Sequence, residues 1–284
     1  MECNPDDINI KNIKGWKNNN INRISLGVQS FFDSDLELMN RSHNSSTATQ
    51  AIELIKDNFK NFSIDLIYGI PESSFDIWKK NIDIGLKYDV PHISTYVLTV
   101  EPKTALIKLI EKNKIEEVSD IDQKLQFEYV YDYLLSLGYV NYEFSSFAKP
   151  GYECKNNVTY WNRGKYIGFG PSAHSFDGVK RKWNISNNQK YIEKIKLNSI
   201  AYESEILSET DILNEIIMIG LRTSEGLDLD LIESKFSNLN LEKLIQQIQL
   251  KIMDGVLVKT DNKLHPSRDY KFLTDGIASD LFIT

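Results

Sequence analysis

Only two cysteines, Cys3 and Cys154, occur in the 284 residues. They make no disulfide framework, and they cannot supply the three or four thiolates that an iron–sulfur cluster or a thiolate zinc site needs. The four histidines are scattered, so no metal site is expected from this chain's own residues. Nothing approaches the roughly 18 uncharged apolar residues of a membrane span. The opening MECNPDDINIKNIKGW has no apolar core of a secretory signal. Basic residues are outnumbered, 33 against 40, for a formal net charge of −7. Non-specific nucleic-acid binding rests on neutralising phosphates, so that balance argues against it. These absences leave a protein of the cytoplasm, without nucleic-acid partner or membrane span.

What is present alternates. Arg23 to Ser30 is β-rich. Asp33 to Arg41 and Ser45 to Phe59 read as helices, the second with Ala51, Leu54, Ile55 and Phe59 on one face. Phe62 to Pro71 is a near-continuous apolar strand, Ser73 to Tyr88 a helix, and His92 to Val100 another strand of buried type. Strands alternating with amphipathic helices predict βαβ units, a parallel sheet, and chemistry at the carboxyl ends of the strands. That rule singles out Gln29, Asp65 to Tyr68, and Leu98 to Glu101. Asp65 sits inside an apolar run and must have a partner, with Arg41 one candidate.

A long helix is expected from Ser119 to Gly138. Tyr139 to Gly178, crowded with aromatics, Gly and Asn, reads as short strands and loops lining a site. The character then changes. Ser208 and Asp211 have capping-box spacing, further helices follow, and Val256 to Pro266 is a strand–turn–strand. This is a winged-helix-like unit. Its third helix offers only Lys243 and Lys251 as cations, which speaks against DNA. The expected division is 1–185, a partial parallel barrel with the site segment, and 186–284, a helical unit with a wing.

Several motifs then occur in order: E-x-N-P at Glu2, Asn4 and Pro5; INRISLGVQSF at 21–31; Arg41 with His43; DLIYGIP at 65–71; HISTYVLTVEPKT at 92–104; GYVNYEFSSFAKPGYE at 138–153; NxxYW at 157–161; and YIGFGPSAHS at 166–175. Together they resemble the oxygen-independent coproporphyrinogen III oxidase-like radical S-adenosylmethionine (SAM) family, in its heme-chaperone, HemW-type branch. The resemblance covers the chain from residue 2 onward. It implies a TIM-like radical SAM barrel, SAM and a [4Fe–4S] cluster as cofactors, and heme or a porphyrin as client, with heme-accepting proteins as partners. The family's Cys-x3-Cys-x2-Cys motif and Gly-Gly-Gly-Thr-Pro loop do not occur here, so the match is to the later part of a family member. The cluster's ligands are therefore absent from this chain, and strand 23–30 is expected as an exposed edge.

The resemblance also implies roles. Glu2, Gln29, Arg41 and Asp65 match SAM-contacting positions; an Arg fork suits the ligand's carboxylate, and an acid suits its ammonium or ribose. Asn157, Tyr160 and Trp161 match a heme motif whose leading His is Asn156 here, an amide where imidazole would ligate iron. Tyr160 and Trp161 can still stack on a macrocycle, or simply pack in a core. His174, in a small-residue loop, is expected near SAM, the glycines allowing close backbone approach to a ligand. Cys154 is a further thiolate candidate. His43 and His92 read as structural, and His265 as surface. No catalytic residue and no metal ligand is assigned. The leading expectation is a heme-binding chaperone. An oxygen-independent coproporphyrinogen III oxidase, hence a radical SAM oxidoreductase, is the enzymatic alternative, and an inactive binding module a third.

Overall fold

The computed structural model describes residues 1–284 apart from Glu101, Lys103, 237–240, Thr284 and the side chain of Ala105. Two compact units divide it, Met1–Glu153 and Cys154–Thr284.

The first unit runs β1 (Glu2–Cys3), α1 (Ile10–Asn18), β2 (Arg23–Gln29), α2 (Asp33–Leu38), α3 (Ser45–Asn58), β3 (Asn61–Tyr68), α4 (Phe75–Lys87), β4 (His92–Val97), α5 (Ala105–Glu111), α6 (Asp120–Ser136), β5 (Val140–Glu143) and β6 (Ser146–Ala148). Its sheet has the order β1-β2-β3-β4-β6-β5. The first four strands are parallel, and β6 joins β4 antiparallel. Capping residues begin the helices that cover it. The Asn44 carboxamide accepts from Thr47 N, the Ser74 hydroxyl from Ile77 N, and the Ser119 hydroxyl from Asp122 N. Ala48, Ala51, Ile52 and Ile55 then line one face of α3 at helical spacing. Gly138 (φ +83°) ends α6 in the left-handed region, where Tyr139 N donates to Leu134 O at 3.1 Å.

Period two in the strands sorts side chains between faces. Ile24, Leu26, Val28, Phe62, Ile64 and Leu66 have at most 3% exposure on the apolar side. Strand β2 is not an edge, because β1 pairs with it in the register Glu2 with Ser25 and Cys3 with Leu26. Helix α1 lies in the polar opening of the sequence, where composition gave no signal; Asn9 caps it by accepting from Asn12 N.

The second unit runs α7 (Lys155–Trp161), β7 (His174–Phe176), β8 (Lys180–Asn184), α8 (Asn188–Lys196), β9 (Tyr202–Ile206), α9 (Glu209–Arg222), β10 (Leu227–Asp228), α10 (Leu229–Lys235), α11 (Glu242–Met253), β11 (Leu257–Thr260), β12 (Lys263–Pro266) and α12 (Thr274–Asp280). Strands β7-β8-β9 form one antiparallel sheet and β10-β12-β11 another. The wing therefore pairs with β10 and not with the main sheet. The Ser208–Asp211 capping box forms as its spacing predicts. Where composition suggests a division near 185, the chain divides at 153/154, because β7 to β9 complete a sheet of their own within the second unit. The aromatic stretch 139–178 is split accordingly, and part of it is the helix α7, whose short length hid its period.

Gly220 makes the packing of the second core testable. A Cβ there would meet Leu227 Cα at 2.7 Å, on the backbone of β10. Gly15 in α1 has nothing within 4 Å of that position. Alanine gains about 1 kcal/mol of helix propensity over glycine, and overpacking costs about 1–3 kcal/mol. In urea denaturation Gly15→Ala is expected to stabilise and Gly220→Ala to destabilise. A stabilising Gly220→Ala would contradict the close approach of α9 to β10.

Candidate functional site

The three central parallel strands present a polar second face. Arg23 pairs in register with Asn61, Ser25 with Ser63, and Asp65 with Ser94. The Ser25 and Ser63 hydroxyls lie 2.8 Å apart, and Ser25 Oγ donates to both Asp65 carboxylate oxygens at 3.4 Å. Arg23 donates to Asn61 Oδ1. His92 Nε2 lies 2.8 Å from the Tyr142 hydroxyl. The β3 and β4 stretches look almost continuously apolar because Ser and Tyr are easily absorbed into such a run. The alternation Arg23-Ser25, Ser63-Asp65 and His92-Ser94-Tyr96 was the signal that would have revealed this face.

Asp65 is the centre of it. Burial pushes its carboxyl up to about 6, against hydrogen bonds from Ser94 and Ser25, and the charge of Glu2 adds to the rise. Burial and the Asp65 charge together hold the Tyr96 phenol near 12. Glu2 is thus no loose terminal residue: β1 puts it in register with Ser25, close enough for both Asp65 and Tyr96 to sense its charge.

Gln29 closes β2 in the left-handed region (φ +68°), after a register shift between Leu26 and Gln29. Its side chain turns back over Gly27, where a Cβ would lie 2.8 Å from Gln29 Nε2. The strand end is fixed from the far side: Ser30 donates to Asp35 at 2.6 Å, and Phe31 N donates to the Asn81 carboxamide at 2.6 Å. His43, buried, contacts the Val28 carbonyl at 3.0 Å, a structural role as expected.

Arg41 is placed differently. It is exposed after α2, and among the described residues it has no ion-pair partner. With Leu38, Ile67, Leu98 and Leu106 it lines a cavity of about 360 Å³ at the carboxyl ends of the strands. The expected Arg41–Asp65 pair is absent, because Asp65 turns to the two serines. Leu98 lines the same cavity; Glu101, from the same expected cluster, lies outside the described residues.

The other expected residues belong to the second unit. Tyr160 and Trp161 end α7, with Asn157 one turn earlier and Cys154 preceding it. Tyr160 is 44% exposed and meets Tyr166 edge-on at 4.7 Å. It lines a cavity of about 550 Å³ with Arg163, Tyr166, Phe176, Arg181 and Glu215. Trp161 lines a second cavity of about 430 Å³, shared with Arg163, and its Nε1–H has no acceptor among the described residues. The Arg222 guanidinium lies 5.4 Å from its ring centre. His174 is exposed on β7. The glycine beside it serves a close approach to the protein's own chain: a Cβ on Gly168 would fall 2.1 Å from the His174 carbonyl oxygen. His265 is half-buried, its ring against Gly226, and not a free surface residue.

The family model of the Radical SAM superfamily matches residues 1–111, and that of the HemN C-terminal domain matches 207–269. The heme chaperone HemW of Bacillus subtilis (strain 168) is 30% identical over 281 residues, which cover 98% of this chain and 74% of that protein. The chain belongs to the HemW family of radical SAM proteins. A second relative, the heme chaperone HemW of Lactococcus lactis subsp. lactis (strain IL1403), is 31% identical over 93% of this chain and 70% of its own length. The solved coproporphyrinogen III oxidase HemN of Escherichia coli shares the fold, with a TM-score of 0.79 at 19% identity, over 99% of this chain and 68% of that one. Among the described residues of this family member no helix is long and apolar enough to cross a membrane.

The family implies a [4Fe–4S] cluster, and the residues present do not fit one. Cys3 and Cys154 lie in different units, and burial pushes the Cys3 thiol up, away from the thiolate a metal needs. Among the described residues no three His, Cys, Asp or Glu side chains gather to hold a metal.

The position of Asp65 has a pH signature. Its carboxyl titrates near 6 when folded and near 3.9 when unfolded, so the native state binds the proton more tightly. Stability from this group falls as pH rises from about 4 to about 6, a loss on the order of 2–3 kcal/mol. His92, held neutral by burial down to about pH 3, acts with the opposite sign over about 3 to 6.5, since the unfolded chain takes its proton first. Asp65→Asn removes only the first contribution. Its stability gain over the parent should be near zero at pH 4 and reach about 2 kcal/mol at pH 7. A gain that does not vary with pH would refute the raised carboxyl.

Proposed function

We propose that this chain is a heme-binding chaperone that carries heme in its second unit and passes it to heme-accepting proteins. The observation that carries the reading is the placement of Tyr160 and Trp161: consecutive residues that wall two cavities sharing Arg163. Aromatic walls suit a flat macrocycle, since ring faces gain dispersion and exclude water. The relatives named heme chaperones match along almost the whole chain. The oxidase alternative rests on a likeness of fold at 19% identity.

Axial ligation does not come from Asn156, since an amide is a poor iron ligand. Binding then depends on the aromatic walls. Titrating the purified chain with heme should give a saturable shift of the absorption band near one heme per chain. Trp161→Ala and Tyr160→Ala should each weaken binding several-fold, with the fold unchanged by circular dichroism. No saturable binding by the parent chain would end the proposal.

The first unit supports a second ligand of the family, SAM. When bound, SAM brings a sulfonium, an ammonium and a carboxylate. Glu2, Gln29 and Asp65 on the polar face fit its ammonium and ribose hydroxyls, and Arg41 fits its carboxylate. A carboxyl titrating near 6 accepts an ammonium well only when ionised. SAM affinity measured by calorimetry should therefore rise between pH 5 and 7 and lose that dependence in Asp65→Asn. A flat profile in the parent would remove Asp65 from the ligand set.

A further inference from the structure

The 550 Å³ cavity of the second unit has an uneven polar wall. Arg163 and Arg181 approach the ring of Phe176, their guanidinium carbons 5.1 and 5.5 Å from its centre. Both ion-pair with one carboxylate, Glu215: Arg181 Nη2 lies 2.5 Å from Oε1, and Arg163 reaches Oε2. Arg163 Nη2 is buried and has no acceptor among the described residues. The remaining acids of the wall are less engaged. Glu205 stands 3.8 Å from Arg181 and is half exposed, so solvent screens it. Asp211 accepts from the Ser208 hydroxyl and amide in its capping box. Two guanidiniums thus share one close carboxylate, and a buried donor is left unmet, which costs free energy until an acceptor arrives.

We infer that Arg163 and Arg181 form a carboxylate seat, which takes the propionate edge of a porphyrin while Tyr160 and Tyr166 face its ring, and that Glu215 fills the seat in the absence of ligand. The inference rests on the heme-binding reading and names the part of the ligand that is recognised. Planar guanidinium forks match carboxylates two bonds at a time. Burial and the neighbouring Arg181 guanidinium both push the Arg163 pKa down, which an additional carboxylate would relieve. Glu215 becomes a competitor within the chain, so ligand affinity is set below what two free arginines would give.

The experiment titrates the full chain with protoporphyrin IX and with its dimethyl ester, following tryptophan quenching. The rings are identical and only the carboxylates differ. The free acid should bind on the order of ten- to a hundredfold more tightly. Arg181→Gln and Arg163→Gln should each remove most of that preference. Glu215→Gln should tighten the free acid several-fold and leave the ester unchanged, a gain that misfolding cannot imitate. Equal affinity for acid and ester, or a Glu215→Gln variant that weakens the acid, would overturn the seat while heme binding itself stands. Failure of heme and of both porphyrins to bind the parent would overturn both.

Discussion

Strands β2, β3 and β4 meet two different environments at once, and the first unit depends on how they divide them. Leu26, Ile64 and Leu66 are sealed beneath helices with no exposed surface. One residue away in each strand stand Ser25, Ser63, Asp65 and Ser94. Because the side-chain period is two, a slip of one residue would turn the acid into the aliphatic core and the aliphatics onto the polar face. The apolar face fixes the register, and the register in turn places the polar groups. The serines can satisfy Asp65 as hydrogen-bond donors, but they supply no charge to balance it. Burial therefore prevails over their hydrogen bonds and over Arg23 on the same face, and the carboxyl stays protonated to about pH 6.

The second unit solves another problem. Its wing and helices bury Leu213, Ile217, Leu221, Leu227 and Leu264 in one core. Gly220 lets α9 lie directly on β10. The same helix carries Glu215 toward the sheet β7-β8-β9, where Arg181 projects from β8 and Arg163 follows α7. The charged cluster therefore draws on three elements of one unit. Residues 154–206 and the terminal helices share a site without sharing a sheet.

Much of this was legible in the residues. The βα alternation, the capping box at Ser208 and the strand–turn–strand of the wing follow from local propensity. The rule that parallel sheets work at the carboxyl ends of their strands singles out Gln29, which does close β2, and the apolar run around Asp65 marks it as an acid inside the sheet. The partner of Asp65 was not legible. Pairing it with Arg41 assumes that opposite charges seek each other, whereas two neighbouring strands had already placed hydroxyls within reach. Helix α7 escaped because seven residues give barely two turns of period. The Arg163–Glu215–Arg181 cluster depends on a contact between segments more than thirty residues apart, and no spacing rule reaches that far.

The two units leave opposite deficits, and the contrast constrains chemistry. On the polar face of the first unit the acids Glu2 and Asp65 outnumber the cation Arg23, so a ligand that brings positive charge would ionise Asp65 and recover its strongest interactions. In the second unit the close cations outnumber their carboxylate, so a ligand that brings negative charge would complete the hydrogen bonding of Arg163. On the proposed reading, the ammonium of a sulfonium-bearing amino acid is matched to the first face, and the carboxylates of a porphyrin to the two guanidiniums of the second unit. On that reading, the charge at Asp65 and at the arginine pair adds to the aromatic walls in assigning each proposed ligand to its own unit.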